Sequence, residues 1–418
     1  MYYVFLNSYN NPFGVDSINY YEEYLNHIKK EYRVLFTCQE FVTPDLKNIL
    51  EQHFNQIIYL ENAKAYYQSA ELEKKIIVFA QNHSITAIVP NAIDEYDIKR
   101  CADLRDYLNI NSGLRLSDTI VFRDKYAMKE IIKNEGLSLP HYALVKCGLD
   151  LIRFIDTHGF PVVIKPNSGF GMVNTTVIQN NADLDLYLSH NFSADYLSDF
   201  IVETFVKGKV HHIDGFVYDD EIVIWPSIYE NSCLEMALDR KILISHPLQE
   251  NCPLTERLIS YGRKVVKLFS NQKRHSFHLE AYVTPDEHIV FCEIAARVGG
   301  GVNRLWKNNF NIDLESIFYK IQTGQHLENI PEIKRKCYAG MYMIPAQLNK
   351  KIVKIPNKCD FDPCEFYITF LKDGDLTSSG EDVFSNLALA YITGSSFEEY
   401  QKNSDMFLNW FYTELQYS

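Results

Sequence analysis

The stretch Phe277-His278-Leu279-Glu280-Ala281-Tyr282-Val283, the turn Thr284-Pro285-Asp286-Glu287, and the run His288-Ile289-Val290-Phe291-Cys292-Glu293-Ile294-Ala295-Ala296-Arg297 decide how this chain is read. Two runs rich in β-branched and aromatic residues flank a Pro-Asp turn, which predicts a β-hairpin. Uninterrupted pairing puts Val283 opposite His288 and His278 opposite Glu293, so that Glu280 and Glu293 share a face as diagonal neighbours. Alternation carries Ala295 and Arg297 onto that face. Two carboxylates and a guanidinium converging there suit a magnesium–nucleotide site, because magnesium takes one or two carboxylates together with phosphate oxygens. A plain exposed hairpin with two solvated glutamates shows the same pattern, so the rest of the chain must choose.

At 418 residues the chain has room for two or three domains with an ample core, and an apolar share of 46% is that of a globular protein. The net charge of −13, without a long basic run, speaks against broad nucleic-acid binding while leaving room for a local phosphate pocket. Met1–Asn7 reads as a first strand and lacks the pattern of a signal peptide, and no apolar run is long enough to span a bilayer. Nine cysteines without a CxxC pair read as reduced thiols, and the expected location is the cytoplasm.

Short apolar runs alternate with helical patterns over the first 110 or so residues. Tyr3–Leu6, Val34–Phe36, Gln56–Leu60 and Ile85–Val89 are the strand candidates; Tyr20–Lys30 and Ala70–Asn82 are helical between them. That alternation predicts an open α/β sheet. No GxGxxG follows the first strand, where Asn10-Asn11-Pro12-Phe13-Gly14 stands, so a substrate cleft is expected there rather than a dinucleotide site. The character changes around Ser112-Gly113. Arg123–Asn134 reads as a helix, and Phe160 to Ile228 as mostly strands. After about residue 330 comes a mixed tail, closed by an aromatic helix over Phe397–Leu415.

Within the strand-rich part, Val162-Val163-Ile164-Lys165 runs into Asn167-Ser168-Gly169-Phe170-Gly171-Met172. Glycines in such a loop let backbone N–H groups approach phosphate oxygens, and a lysine ending an apolar strand is aimed at an anion. Glu203, inside Ile201–Gly208, is a strand carboxylate that needs a partner, either an adenine amino group or a lysine. His212 and Asp214 share a face of the next strand.

These pieces, in this order, resemble the ATP-grasp superfamily, and within it carboxylate–amine ligases such as the bacterial L-amino acid ligases. The likeness runs from about Asn91 to Phe407 through Arg123-Asp124-Lys125, Val163–Pro166, the Gly169/Gly171 loop, Val202-Glu203, His212–Gly215 and Leu279-Glu280 through Glu293 to Arg297–Gly300. It implies an N-terminal α/β domain over 1–115, a two-part α+β ATP-grasp domain over 116–330 with a lid subdomain at about 125–205, and a small α+β subdomain over 331–418. It implies ATP and Mg2+ as cofactors, with Mn2+ able to substitute. Lys125 and Lys165 would meet the phosphates under a loop containing Ser168, Gly169 and Gly171. Glu203, Phe205 and Val206 would hold adenine, with His212 or Asp214 covering the ribose. Glu280 and Glu293 would ligate magnesium, while Arg297, helped by Gly300, would stabilise the acyl phosphate and the tetrahedral intermediate. Glu95 and Tyr229 are substrate candidates by position.

Two positions depart from the pattern. Val210 stands where many members carry a ribose glutamate, and Ala295 where many carry a metal-binding asparagine, for which Asn303 is a substitute candidate. The expected reaction is ATP-dependent amide or peptide bond formation between a small-molecule carboxylate and an amine, without nucleic acid or membrane. Charging of a carrier protein or peptide terminus is the alternative, and a nucleotide-binding protein without catalysis the more distant one. The residues leave the oligomeric state open, a homodimer included.

Overall fold

The structure is a computed structural model that describes residues 1–8, 24–192, 199–269, 273–359, 361–377 and 386–418. The Asn10–Gly14 segment and the first part of the Tyr20–Lys30 pattern lie outside the described residues.

Four strands, β1 (Tyr2–Asn7), β2 (Arg33–Cys38), β3 (Gln56–Leu60) and β4 (Ile85–Val89), form a parallel sheet in the order β3-β2-β1-β4. All four coincide with the expected apolar runs. Those runs are nearly continuous because both faces of the sheet are covered: Phe5, Leu35 and Val89 enter one core while Val4, Phe36 and Ile88 enter another. The helix Glu95–Leu108 follows β4, and Asp94 caps it by accepting from Tyr96 N at 2.7 Å and Asp97 N at 3.1 Å. Its Arg105 is fully buried and donates to Ile88 O at 3.0 Å, Leu114 O at 3.0 Å and Gln322 Oε1 at 2.6 Å.

A second sheet, β5 (Tyr142–Val145), β6 (Val162–Pro166), β7 (Thr176–Ile178) and β8 (Phe200–Thr204), is antiparallel in the order β5-β8-β6-β7. The strand after the glycine loop starts only at Thr176, since Met172 and Asn174 adopt left-handed backbone with φ of 63° and 56°. The strand-rich reading also passed over the helix Asn181–Asn191. Only Leu184 and Tyr187 of that helix are buried, too narrow a stripe to announce its period.

The remaining strands are β9 (Lys209–Tyr218), β10 (Glu221–Tyr229), β11 (Leu243–Pro247), β12 (Arg274–Val283), β13 (Ile289–Ala295), β14 (Tyr338–Pro345), β15 (Ile352–Lys354), β16 (Cys364–Thr369), β17 (Asn386–Gly394) and β18 (Gln416–Tyr417). All but β15 and β18 form one eight-stranded antiparallel sheet, β13-β12-β9-β10-β11-β14-β17-β16. The segment expected as a separate unit at 331–418 therefore extends the central sheet through the β11–β14 pair, with the helix Phe397–Glu414 packed on it.

The opening hairpin forms with a different register. Its connection runs from Thr284 to His288, with Glu287 left-handed at φ 63°, so Val283 faces Ile289 rather than His288. Beyond Ala281↔Phe291 a β-bulge at Cys292 shifts the pairing, and Glu280 then lies directly opposite Glu293, with His278 opposite Ala295. Without the bulge Glu293 would face Leu279, which points into the core. The extra residue turns both Cys292 and Glu293 toward the open face.

Candidate active site

The site is assembled where the helix Lys125–Asn134, the second sheet and the hairpin meet. Asp124 caps the helix by accepting from Ala127 N at 2.8 Å. Buried Asn167, the first residue of the glycine loop, accepts from Lys125 N (2.9 Å) through its carbonyl and from Tyr126 N (3.0 Å) through Oδ1. Helix start and loop start are thus one unit. From it, Lys125 Nζ donates to Gly169 O at 2.6 Å and lies 3.3 Å from Glu293 Oε2, while Arg123 donates to Ser168 O.

On β8, buried Glu203 receives two lysines on the same oxygen: Lys165 Nζ at 3.1 Å and Lys129 Nζ at 3.2 Å. Burial opposes ionisation of Glu203, but the two ammonium groups outweigh it and hold the carboxyl below its ordinary value. Burial likewise opposes the charge on Lys165, and Glu203 reverses that, raising its pKa. Burial would raise Glu293, yet Lys125 and Lys165 pull it down to about 2.

These groups surround a cavity of about 710 Å3. The loop side supplies Lys125, Lys165, Gly169 and Gly171; β8 and its continuation supply Glu203, Phe205 and Val206; the hairpin supplies Glu280 and Glu293. Two carboxylates facing each other across a strand pair, with side chains 19% and 28% exposed, form an oxygen donor set that fits a magnesium ion beside the lysines.

No family model matches the chain. It is 28% identical over 216 residues to the L-arginine-specific L-amino acid ligase of Bacillus subtilis, a match covering 50% of this chain and 52% of that protein. The chain thus spans about half the length of that curated relative. Among solved structures it resembles an L-amino acid ligase from Bacillus licheniformis, with TM-score 0.78 and 16% identity over 100% of this chain and 98% of that one. The biotin carboxylase domain dimer of Hydrogenobacter thermophilus 2-oxoglutarate carboxylase, solved with MgADP and bicarbonate, superposes with TM-score 0.69 and 15% identity, covering 100% and 90% of the two chains. The chain has the ATP-grasp fold.

Several of the expected residues stand elsewhere. Ser168 takes part through its carbonyl, bonded to Arg123. His212 lies off the cavity, fully buried, its Nδ1 paired with Asp214 Oδ2 at 2.5 Å and its Nε2 with Ser245 Oγ at 2.6 Å. Tyr229 is buried and stacked on the His212 ring, centroids 4.4 Å apart, so neither presents the contact expected of it. Val210 itself, at the position expected for a ribose glutamate, lines the cavity. Asn303 does not replace the missing asparagine, for its Oδ1 accepts from Glu315 N at 3.0 Å. Arg297 is held by Glu95, Nε to Oε1 2.8 Å, and the second oxygen of Glu95 pairs with Arg123. Open space surrounds the Cα of Gly300 where a side chain would project, whereas a side chain at Gly299 would meet His278 Nδ1 at 2.7 Å.

Asp214 also pairs with His278, Oδ1 to Nδ1 2.6 Å, and His278 Nε2 lies 3.4 Å from Glu280 Oε1. A buried chain Ser245–His212–Asp214–His278–Glu280 therefore runs beneath the carboxylates. The residue that sequence reasoning missed is Lys129. Its position one helical turn after Lys125 was the available signal, since residues four apart share a helix face.

Proposed function

We propose that the protein is an ATP-dependent carboxylate–amine ligase that forms an amide or peptide bond, with an amino acid among its substrates, and releases ADP and phosphate. The observation that carries this reading is the single cavity in which Lys125, Lys165, the glycine loop and the Glu280/Glu293 pair converge. Lys125 and Lys165 would hold the β- and γ-phosphates, and loop N–H groups would close over them. Phe205, Val206 and the Glu203 carboxylate would take adenine. Glu280 and Glu293 would hold magnesium, which spreads the charge of the transferring phosphoryl group; manganese, with the same oxygen preference, would substitute. Arg297 and the open backbone at Gly300 would face the acyl phosphate and the oxyanion that forms on amine attack. Glu95, whose two oxygens are paired with Arg297 and Arg123, would act on the substrate by orienting Arg297. Nine free thiols and the use of ATP support a cytoplasmic setting. No helix among the described residues is long and apolar enough to cross a membrane.

The test is incubation with magnesium-ATP and a panel of amino-acid pairs, reading phosphate release and new masses together. ADP, phosphate and a condensed mass are expected. Formation of AMP and pyrophosphate would discard the acyl-phosphate route.

A further inference from the structure

Glu203 poses an electrostatic problem that the proposed reaction makes acute. Its side chain is 5% exposed and both lysines bind the same oxygen, but the lysines differ in access. Lys165 lines the cavity and has an 11% exposed side chain; Lys129 is completely enclosed, lies outside the cavity lining, and is anchored to Cys292 O at 3.0 Å. If Lys165 turns to a nucleotide phosphate, it leaves Glu203. A buried carboxylate stripped of its counter-ion is strongly destabilised, so without a second cation the Lys165–Glu203 pair would resist opening.

We propose that Lys129 is a positioning residue: it keeps Glu203 compensated at all times, and so frees Lys165 to exchange Glu203 for a phosphate. This rests on the nucleotide reading above and adds to it a standing counter-ion that never touches the ligand. Lys129 also ties β8 to the bulge carbonyl of β13, so the exchange takes place between fixed walls.

The experiment is calorimetric titration of magnesium-ATP and of adenosine into the unmodified protein, K129M, E203Q and K129M/E203Q, with thermal melts to verify folding. K129M is expected to weaken ATP binding by roughly tenfold or more, as coupled contacting groups do, and adenosine binding far less. In the E203Q background, where no carboxylate holds Lys165, the same Lys129 change is expected to alter ATP affinity by less than about threefold. A purely structural Lys129 would give equal losses in both backgrounds, and that result overturns the inference. If K129M does not fold, the comparison of E203Q with K129M/E203Q decides alone: unequal ATP affinity overturns the inference, equal affinity supports it. Absence of ATP binding to the unmodified protein overturns the nucleotide reading and this inference with it.

Discussion

Glu293 shows how much one side chain depends on its surroundings. Burial opposes its charge, yet Lys125 and Lys165 pull its pKa down to about 2, so it is available to a cation at neutral pH. Glu293→Gln keeps the shape and removes the charge. Turnover is expected to fall on the order of 100-fold or more, with the thermal melt retained, as steady-state assay and melt together will read. Full activity would remove Glu293 from the metal site. His278 offers a second check. Burial opposes its charge, but Asp214 prevails and raises its pKa from 6.5 to about 9. A raised pKa means stability present in full below about pH 6.5 and lost as pH rises through about 9. The melting temperature should therefore drop across that window, and drop less in H278Q; parallel curves would dismiss the contribution. Glu280, Glu293 and Lys165 were readable because each ends or interrupts an apolar run, whereas Lys125 was reached only through the family resemblance. Lys129 was missed, because a helix lysine reads as solvated until the strand carboxylate behind it is seen. His212 was misplaced for a different reason: its ring is enclosed between Asp214 of its own strand and Ser245 of β11, and that second partner comes from a strand pairing that one strand does not reveal.

At the scale of elements, the hairpin was foreseeable and its register was not. Strand composition announces where a ladder forms, while the count of residues in the connection and one bulge decide which side chains face each other. Here the bulge at Cys292 brings Glu280 and Glu293 face to face, a closer pair than the diagonal one expected. The start of the helix Lys125–Asn134 is the other decisive element, because its cap and the glycine loop share Asn167. Replacing the cap, Asp124→Ala, leaves Ala127 N without its acceptor and should lower stability by about 1 kcal/mol in urea unfolding. Since Lys125 is the first residue of that helix, ATP affinity should fall along with it. Unchanged affinity would mean that Asn167 alone positions the lysine.

At the scale of the whole molecule, the change of character read at Ser112-Gly113 coincides with a clasp. Gly113 has φ +69°, and a Cβ there would lie 2.4 Å from Gln322 Oε1 and 2.5 Å from Arg105 Cζ. Arg105 comes from the helix Glu95–Leu108 and Gln322 from the helix Leu314–Thr323, which packs beside β4. The change in composition therefore falls where the parallel sheet and its helix are fastened to the helix Leu314–Thr323, a long-range contact that no local pattern encodes. Arg105→Met would leave Ile88 O, Leu114 O and Gln322 Oε1 short of a buried donor, at a cost of about 3 kcal/mol. Gly113→Ala would strain a left-handed residue and crowd the guanidinium, at about 1–3 kcal/mol. Because both act on one contact, the double variant should lose less than the sum of the two, the crowding against the guanidinium having gone with the arginine while the approach to Gln322 Oε1 and the backbone strain of about 1 kcal/mol stay. Denaturant unfolding of the four proteins measures this directly. Strict additivity would mean that Gly113 is required for its backbone conformation only and that the clasp does not depend on its missing side chain.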